Sequence, residues 1–328
     1  QEGRADNIIY IKSDFNQLYS HVAEIRSVSE DASKPIRTLS IRLVREQTEL
    51  SNKNIVVNIP NVRKSVPLFI VFRALGIISD EEICQYILLN LESKENQSMC
   101  NSLQASIIDA NTCLTQEECI KYITTHVMYT PMNMDKETGS IKKRDFTLEI
   151  LNNDLFPHCK NTKQRIYFLG YMTNRLLQAD HELIPADDRD SYLNKRIDLT
   201  GTLLNNLFRN YFNKLVKDME KQVVREINNG SWRSTDDYMR IINMTNIYKI
   251  IKSTTIENGL KRALSTGDFG VKHSNSNKVG VAQVLNRLTY ISSLSHVRRV
   301  ATPTDKSGKL IPPRKLHNTQ WGFICPAE

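Results

Sequence analysis

With 328 residues, 40% of them hydrophobic and 24% charged, the chain has the length for two or three domains and the apolar content for a core. That content excludes a disordered chain, and 12 Gly with 10 Pro exclude collagen-like and low-complexity classes. The six cysteines lack C-x-x-C spacing and point to an intracellular protein without a zinc knuckle or disulfide framework, and no run of about 18 apolar residues is present to span a membrane.

The N-terminal Gln1-Glu2-Gly3-Arg4 lacks an initiating Met and a signal pattern, and Cys325-Pro326-Ala327-Glu328 bears no mark of a natural end, so both ends read as cuts through a longer polypeptide. Residues 36–59 read as a β-hairpin or meander. Leu39, Ile41 and Leu43 alternate with polar neighbours, as do Ile55, Val57 and Ile59, with the turn supplied by Gln47 to Lys53. Val66 to Gly76 is apolar but interrupted by Arg73. Ser79-Asp80-Glu81-Glu82 opens a helix, and Thr115-Gln116-Glu117-Glu118 is a capping box for another. Residues 162–178 read as helix, with Ile166, Leu169, Met172, Leu176 and Leu177 on one side. The chain to about residue 183 is thus mixed α and β.

A charge-dense segment follows at 184–200, where Asp187, Asp188 and Asp190 lie beside Arg189, Lys195 and Arg196 and read as ion-paired structure rather than a metal site. The strongest helix comes next. From 202 to 225, Leu203, Leu204, Leu207, Phe208, Tyr211, Phe212, Leu215, Val216, Met219 and Val223 form one apolar stripe of the core-packing kind, expected to stay incompletely buried in this stretch of chain and to leave an apolar patch larger than a monomer usually shows. Ser265 to Gly270 and Ser274 to Asn277 are loop-forming. Val281 to Val300 is expected to be helical in its first half, with Val281, Val284, Leu285 and Leu288 on one face. Pro303, Gly308, Pro312 and Pro313 then punctuate an exposed loop.

Charge is unevenly placed. Residues 256–328 hold eleven Lys and Arg against four acids, a local +7 out of the total of +8. Such a concentrated positive field suits a polyanion such as nucleic acid, and equally a solvated basic face; charge alone does not choose. Catalytic signatures are missing: there is no P-loop, GxSxG, HExxH or EF-hand pattern, and the seven histidines have no metal-like spacing.

Several short patterns occur in a fixed order near the C-terminus. Gly280-Val281-Ala282-Gln283-Val284-Leu285-Asn286-Arg287 precedes Leu294-Ser295-His296-Val297-Arg298-Arg299. Gly308-Lys309-Leu310, Pro313-Arg314-Lys315-Leu316-His317-Asn318-Thr319 and Trp321-Gly322-Phe323-Ile324-Cys325-Pro326-Ala327-Glu328 follow. Together they resemble the second-largest, β-type subunit of multisubunit DNA-dependent RNA polymerases. Upstream, Ser20 to Ser27, Phe72-Arg73-Ala74-Leu75-Gly76 and Phe168-Leu169-Gly170-Tyr171-Met172 are similar to its lobe. The wording at 316–322 is nearest the eukaryotic messenger-RNA branch, an archaeal-like or large-virus enzyme remains open, and the insert near 92–145 departs most from the family.

The resemblance implies an α+β, multi-part fragment: a mixed α/β lobe at 1–186, a helical returning part of the protrusion at 187–253, and a basic, loop-rich fork at 254–328, truncated at its C-terminal end. It implies part of the DNA/RNA cleft of a nucleotidyltransferase, with no catalytic residue and no metal or other cofactor in this stretch. Mg2+, and Zn2+ where the family has its zinc site, belong elsewhere in the full enzyme. The expected nucleic-acid-binding residues are Gln283, Asn286, Arg287, Arg298, Arg299, Lys306, Lys309 and Arg314. Cations among them suit phosphates, and neutral polar groups such as Gln283, Asn286 and Ser295 tolerate every base sequence of a sliding hybrid. Implied partners are template DNA, the RNA–DNA hybrid, the largest and other polymerase subunits, and initiation factors at lobe and protrusion, but no membrane. The site of action would be the nucleus in a cell, or a cytoplasmic replication site or virion for a large DNA virus. The rival readings are a non-enzymatic basic nucleic-acid-binding module and a basic helical interaction protein that binds no nucleic acid.

Overall fold

In the computed structural model the described residues are all except 1, 14–15, 32–33, 46–52, 130–134, 229–246, 271–278, 303–314 and 326–328. Their strands are β1 (Glu2–Arg4), β2 (Ile9–Ser13), β3 (Tyr19–Ser27), β4 (Arg37–Val44), β5 (Ile55–Asn58), β6 (Val66–Pro67) and β7 (Lys195–Ile197). Their helices are α1 (Leu68–Ala74), α2 (Asp80–Leu88), α3 (Lys94–Asp109), α4 (Gln116–His126), α5 (Lys136–Glu149), α6 (Thr162–Asp180), α7 (Thr200–Asn228), α8 (Ile247–Ile250), α9 (Thr254–Thr266) and α10 (Tyr290–Arg298). None of these helices is long and apolar enough to cross a membrane. The chain forms two units, residues 5–189 and residues 1–4 with 190–328. Mixed helix and sheet make it an α+β protein.

The first unit is built on an antiparallel sheet in the order β2-β3-β4-β5-β6. The register sets Ile11, Ala23, Ile41 and Val57 side by side in one row, all fully buried, because opposed residues of antiparallel strands share a face. The expected 36–59 hairpin is the β4–β5 pair. Helix α6 packs on β2, β3 and β4, while α1 packs on β5 and β6. Every residue of α1 is buried, including Arg73, which explains why an apolar run tolerates a cation. Its Nη1 donates to Ala110 O at 2.8 Å and Cys113 O at 2.6 Å, and its Nη2 to Asp80 Oδ1 at 2.6 Å.

Both expected caps form. The Ser79 side chain accepts from Glu82 N, and Thr115 with Glu118 makes the capping box of α4. Gly170 sits where α6 crosses α2: a Cβ there would lie 2.3 Å from Tyr86 O, so only glycine permits this approach. Asp187 serves in a different way from the ion pairing expected of it. Its Oδ2 accepts from Ile11 N at 2.8 Å while its own N–H donates to Ile11 O at 2.9 Å, covering the open side of the edge strand β2.

The second unit has a smaller core: Leu203, Leu207 and Tyr211 of α7 with Ala263 of α9 and Phe269. As expected, the α7 stripe is incompletely buried: Phe208, Phe212 and Val216 are each 47% exposed, because α8 and α9 cover only part of it. One expectation is corrected. The helix within Val281 to Val300 occupies the second half, α10, and not the first. Thr289 caps it with Ser292, and Val284 and Leu288, 94% and 87% exposed, have no apolar surface to hold a helical face against.

Candidate nucleic-acid interface

Gly267 ends α9 with φ of +71°, a conformation that favours glycine, and a Cβ there would meet Ala282 O at 2.3 Å. Val281 N–H donates to Gly267 O at 3.0 Å. These contacts lay 281–282 against α9, so Val281 and Ala282 join the small core.

Beyond them an irregular stretch is knitted to α10 by one imidazole. His296 Nδ1 accepts the Asn286 backbone N–H at 3.0 Å, which leaves the ring proton on Nε2, and Nε2 lies 3.0 Å from Gln283 Oε1. Gln283 Nε2 donates in turn to Gly280 O at 3.1 Å. The Asn286 Oδ1 accepts from Leu288 N at 3.0 Å and from Ser292 Oγ at 3.3 Å, and Ser293 Oγ donates to Asn286 O. Two expected site residues, Gln283 and Asn286, therefore shape the loop that presents Arg287.

Arg287, Arg298 and Arg299 are exposed, and none has an ion pair among the described residues. Arg298 lies in the last turn of α10 and Arg299 at its C-cap, where the helix's negative end favours cations. Lys306, Lys309 and Arg314 lie outside the described residues. Among those described, no group of three His, Cys, Asp or Glu is placed to hold a metal ion. His296, Ser292 and Ser293 were not anticipated as organisers; the only signal was the Thr289-to-Ser292 capping spacing.

Two family models match the chain: RNA polymerase Rpb2, domain 2, over residues 5–198, and RNA polymerase Rpb2, domain 3, over residues 283–328. The chain belongs to the Rpb2 family. It is 35% identical to DNA-directed RNA polymerase II subunit 2 of Arabidopsis thaliana and 36% identical to subunit RPB2 of Schizosaccharomyces pombe, each over 100% of this chain and 26% of the relative. It is also 34% identical to DNA-directed RNA polymerase subunit 2 of Acanthamoeba polyphaga mimivirus, over 98% of this chain and 26% of that protein. This Rpb2-family chain thus spans about a quarter of the length of the curated relatives it matches. The first unit lies wholly within the domain 2 match, and the His296 network falls almost wholly within the domain 3 match.

Proposed function

We propose that this chain forms part of the DNA/RNA cleft of a multisubunit DNA-directed RNA polymerase, with residues 1–186 as lobe, 187–253 as returning protrusion and 254–328 as fork. It supplies walls to a nucleotidyltransferase whose catalytic residues and metal ions lie outside this stretch. It works beside the largest and other subunits, with initiation factors meeting lobe and protrusion, in the nucleus of a cell or the replication site or virion of a large DNA virus.

The observation that carries this reading is the trio Arg287, Arg298 and Arg299, exposed and without ion pairs among the described residues, around a hydrogen-bonded scaffold. Guanidinium groups held this way suit the phosphates of a hybrid whose sequence changes at every step. Gln283 and Asn286 add neutral polar surface. Lys306, Lys309 and Arg314 hold phosphates of downstream DNA, and their segment obstructs the non-template strand so that the duplex parts.

The test is salt-dependent retention of elongation complexes by the full polymerase carrying Arg287→Ala, Arg298→Ala or Arg299→Ala. Each lost phosphate contact should reduce the slope of log affinity against log salt by about 1, with little change in sequence preference. Slopes equal to that of the unaltered enzyme for all three variants would overturn the proposal.

A further inference from the structure

Glu2 is an acid with almost no solvent around it: its side chain is 5% exposed. Strand β1 pairs antiparallel with β7, setting Glu2 opposite Ile197. Lys195, two residues back along β7, is the diagonal neighbour on the same face. Its Nζ lies 2.8 Å from Glu2 Oε1. The other carboxylate oxygen accepts from Tyr192 Oη at 2.9 Å and from Thr302 Oγ1 at 3.1 Å, while Glu2 N–H donates to Ala301 O at 2.9 Å. Burial raises the carboxyl pKa, but hydrogen bonds from Lys195 and Tyr192 and the Lys195 charge more than offset it, leaving it below the ordinary value. Tyr192 is pushed up to about 12, by burial and then by its bond to Glu2.

Tyr192 also reaches a second place. Its backbone N–H donates to Thr319 Oγ1 at 2.8 Å, and Thr319 belongs to the short turn Asn318–Gln320. Residues 301–302 and 318–320 flank the segment that carries Lys306, Lys309 and Arg314. One carboxylate and one tyrosine therefore touch both flanks, although they lie far from them in sequence.

We propose that Glu2 and Tyr192 are positioning residues that hold residues 301–302 and 318–320 in register with each other, and so set the two points from which the basic segment departs. A buried charge held by three donors tolerates little displacement, because movement of either flank leaves it short of a partner in a poorly solvated place. This inference rests on the proposed role of that segment in separating downstream strands.

The experiment uses the full polymerase containing this chain. Hydrogen exchange is followed in peptides covering 299–302 and 317–321, with α9 as control, for Glu2→Gln, Tyr192→Phe and Thr302→Val. Tyr192→Phe removes no atom that touches Thr319, so it reports whether the flanks are coupled. Exchange should accelerate about tenfold at both flanks in Glu2→Gln and Tyr192→Phe, with α9 unchanged. Thr302→Val, the mildest change, gives the same pattern more weakly and covers the case in which a Glu2 variant fails to assemble. In parallel, elongation is compared on duplex DNA and on a template lacking the downstream non-template strand. The duplex rate should fall in the same order as the exchange effect, with the other template little affected. Unchanged protection at 317–321 in both Glu2→Gln and Tyr192→Phe would overturn the proposal, as would loosened flanks with an unaltered ratio of the two rates. If the unaltered enzyme, and a variant lacking Thr304 to Lys309, showed the same ratio, strand separation by this segment would fall instead, and exchange alone would decide the coupling of the flanks.

Discussion

His296 accepts the backbone N–H of Asn286 on Nδ1 at 3.0 Å, ten residues away in sequence, and its opposite nitrogen meets Gln283 Oε1 at the same distance. One neutral ring thereby fixes both sides of an irregular loop that has few apolar contacts of its own. Replacing His296 by Ala leaves the half-buried Asn286 N–H without this partner, a loss of about 0.5–1.5 kcal/mol of local stability. The expected outcome is faster exchange of the Asn286 amide and weaker retention of nucleic acid, with α9 unaffected. Native protection at Asn286 in this variant would mean that the loop is held by other contacts.

The segment Thr304 to Lys309 lies outside the described residues, and its role is tested by removal. Opening a base-pair step costs roughly 1–2 kcal/mol. Deletion should slow elongation on duplex DNA much more than on a template without the downstream non-template strand. Equal slowing on both would assign the segment to general positioning.

Helix α7 provides a contrast between two faces of one stripe. Leu207 is 2% exposed and Phe212 47%. Leu207→Ala should therefore cost about 2–5 kcal/mol, whereas Phe212→Ala should cost well under this because much of the ring already meets solvent. Chemical denaturation of the chain compares them directly. In limited proteolysis, α7 should be cut before the first unit, whose core is larger; the reverse order would contradict this ranking.

His158 should make the first unit sensitive to acid. Its Nδ1 lies 2.7 Å from Ser27 Oγ, its ring meets Phe168 edge-on, and burial, with nearby Arg165, holds its pKa below the ordinary value. The unfolded histidine takes up its proton near pH 6.5, and the folded one only at lower pH. Acid therefore favours the unfolded chain, so stability is intact above about pH 6.5 and declines as pH falls toward the folded value. Glu2, with its lowered pKa, gives the second unit a loss in the same direction at more acid pH. Melting temperatures between about pH 7 and 5 should fall less steeply for His158→Asn than for the unaltered chain; parallel curves would exclude His158 as the cause.

The parts of this protein legible in the sequence are those whose signals are local. Alternation marked β4 and β5, capping residues marked the starts of α2 and α4, and the spacing of Ile166, Leu169 and Met172 marked α6. The ordered motifs from Gly280 onward carried the family, because they preserve residue identity and not just polarity. What the sequence misplaced depended on the presence of a covering surface. The Val284–Leu288 run is apolar, and periodicity cannot tell whether an apolar face finds a partner to hold it as a helix.

Only the tertiary structure decided the rest. Asp187 became a partner for the backbone of β2, Gln283 and Asn286 were joined through His296, and Glu2 was brought against Tyr192 and Thr302. Each is a polar contact between residues far apart in the chain or joined across an irregular turn. Hydrogen-bonding groups are common along any chain, and their partners are set by where the apolar elements, once packed, leave a buried donor or acceptor to be satisfied.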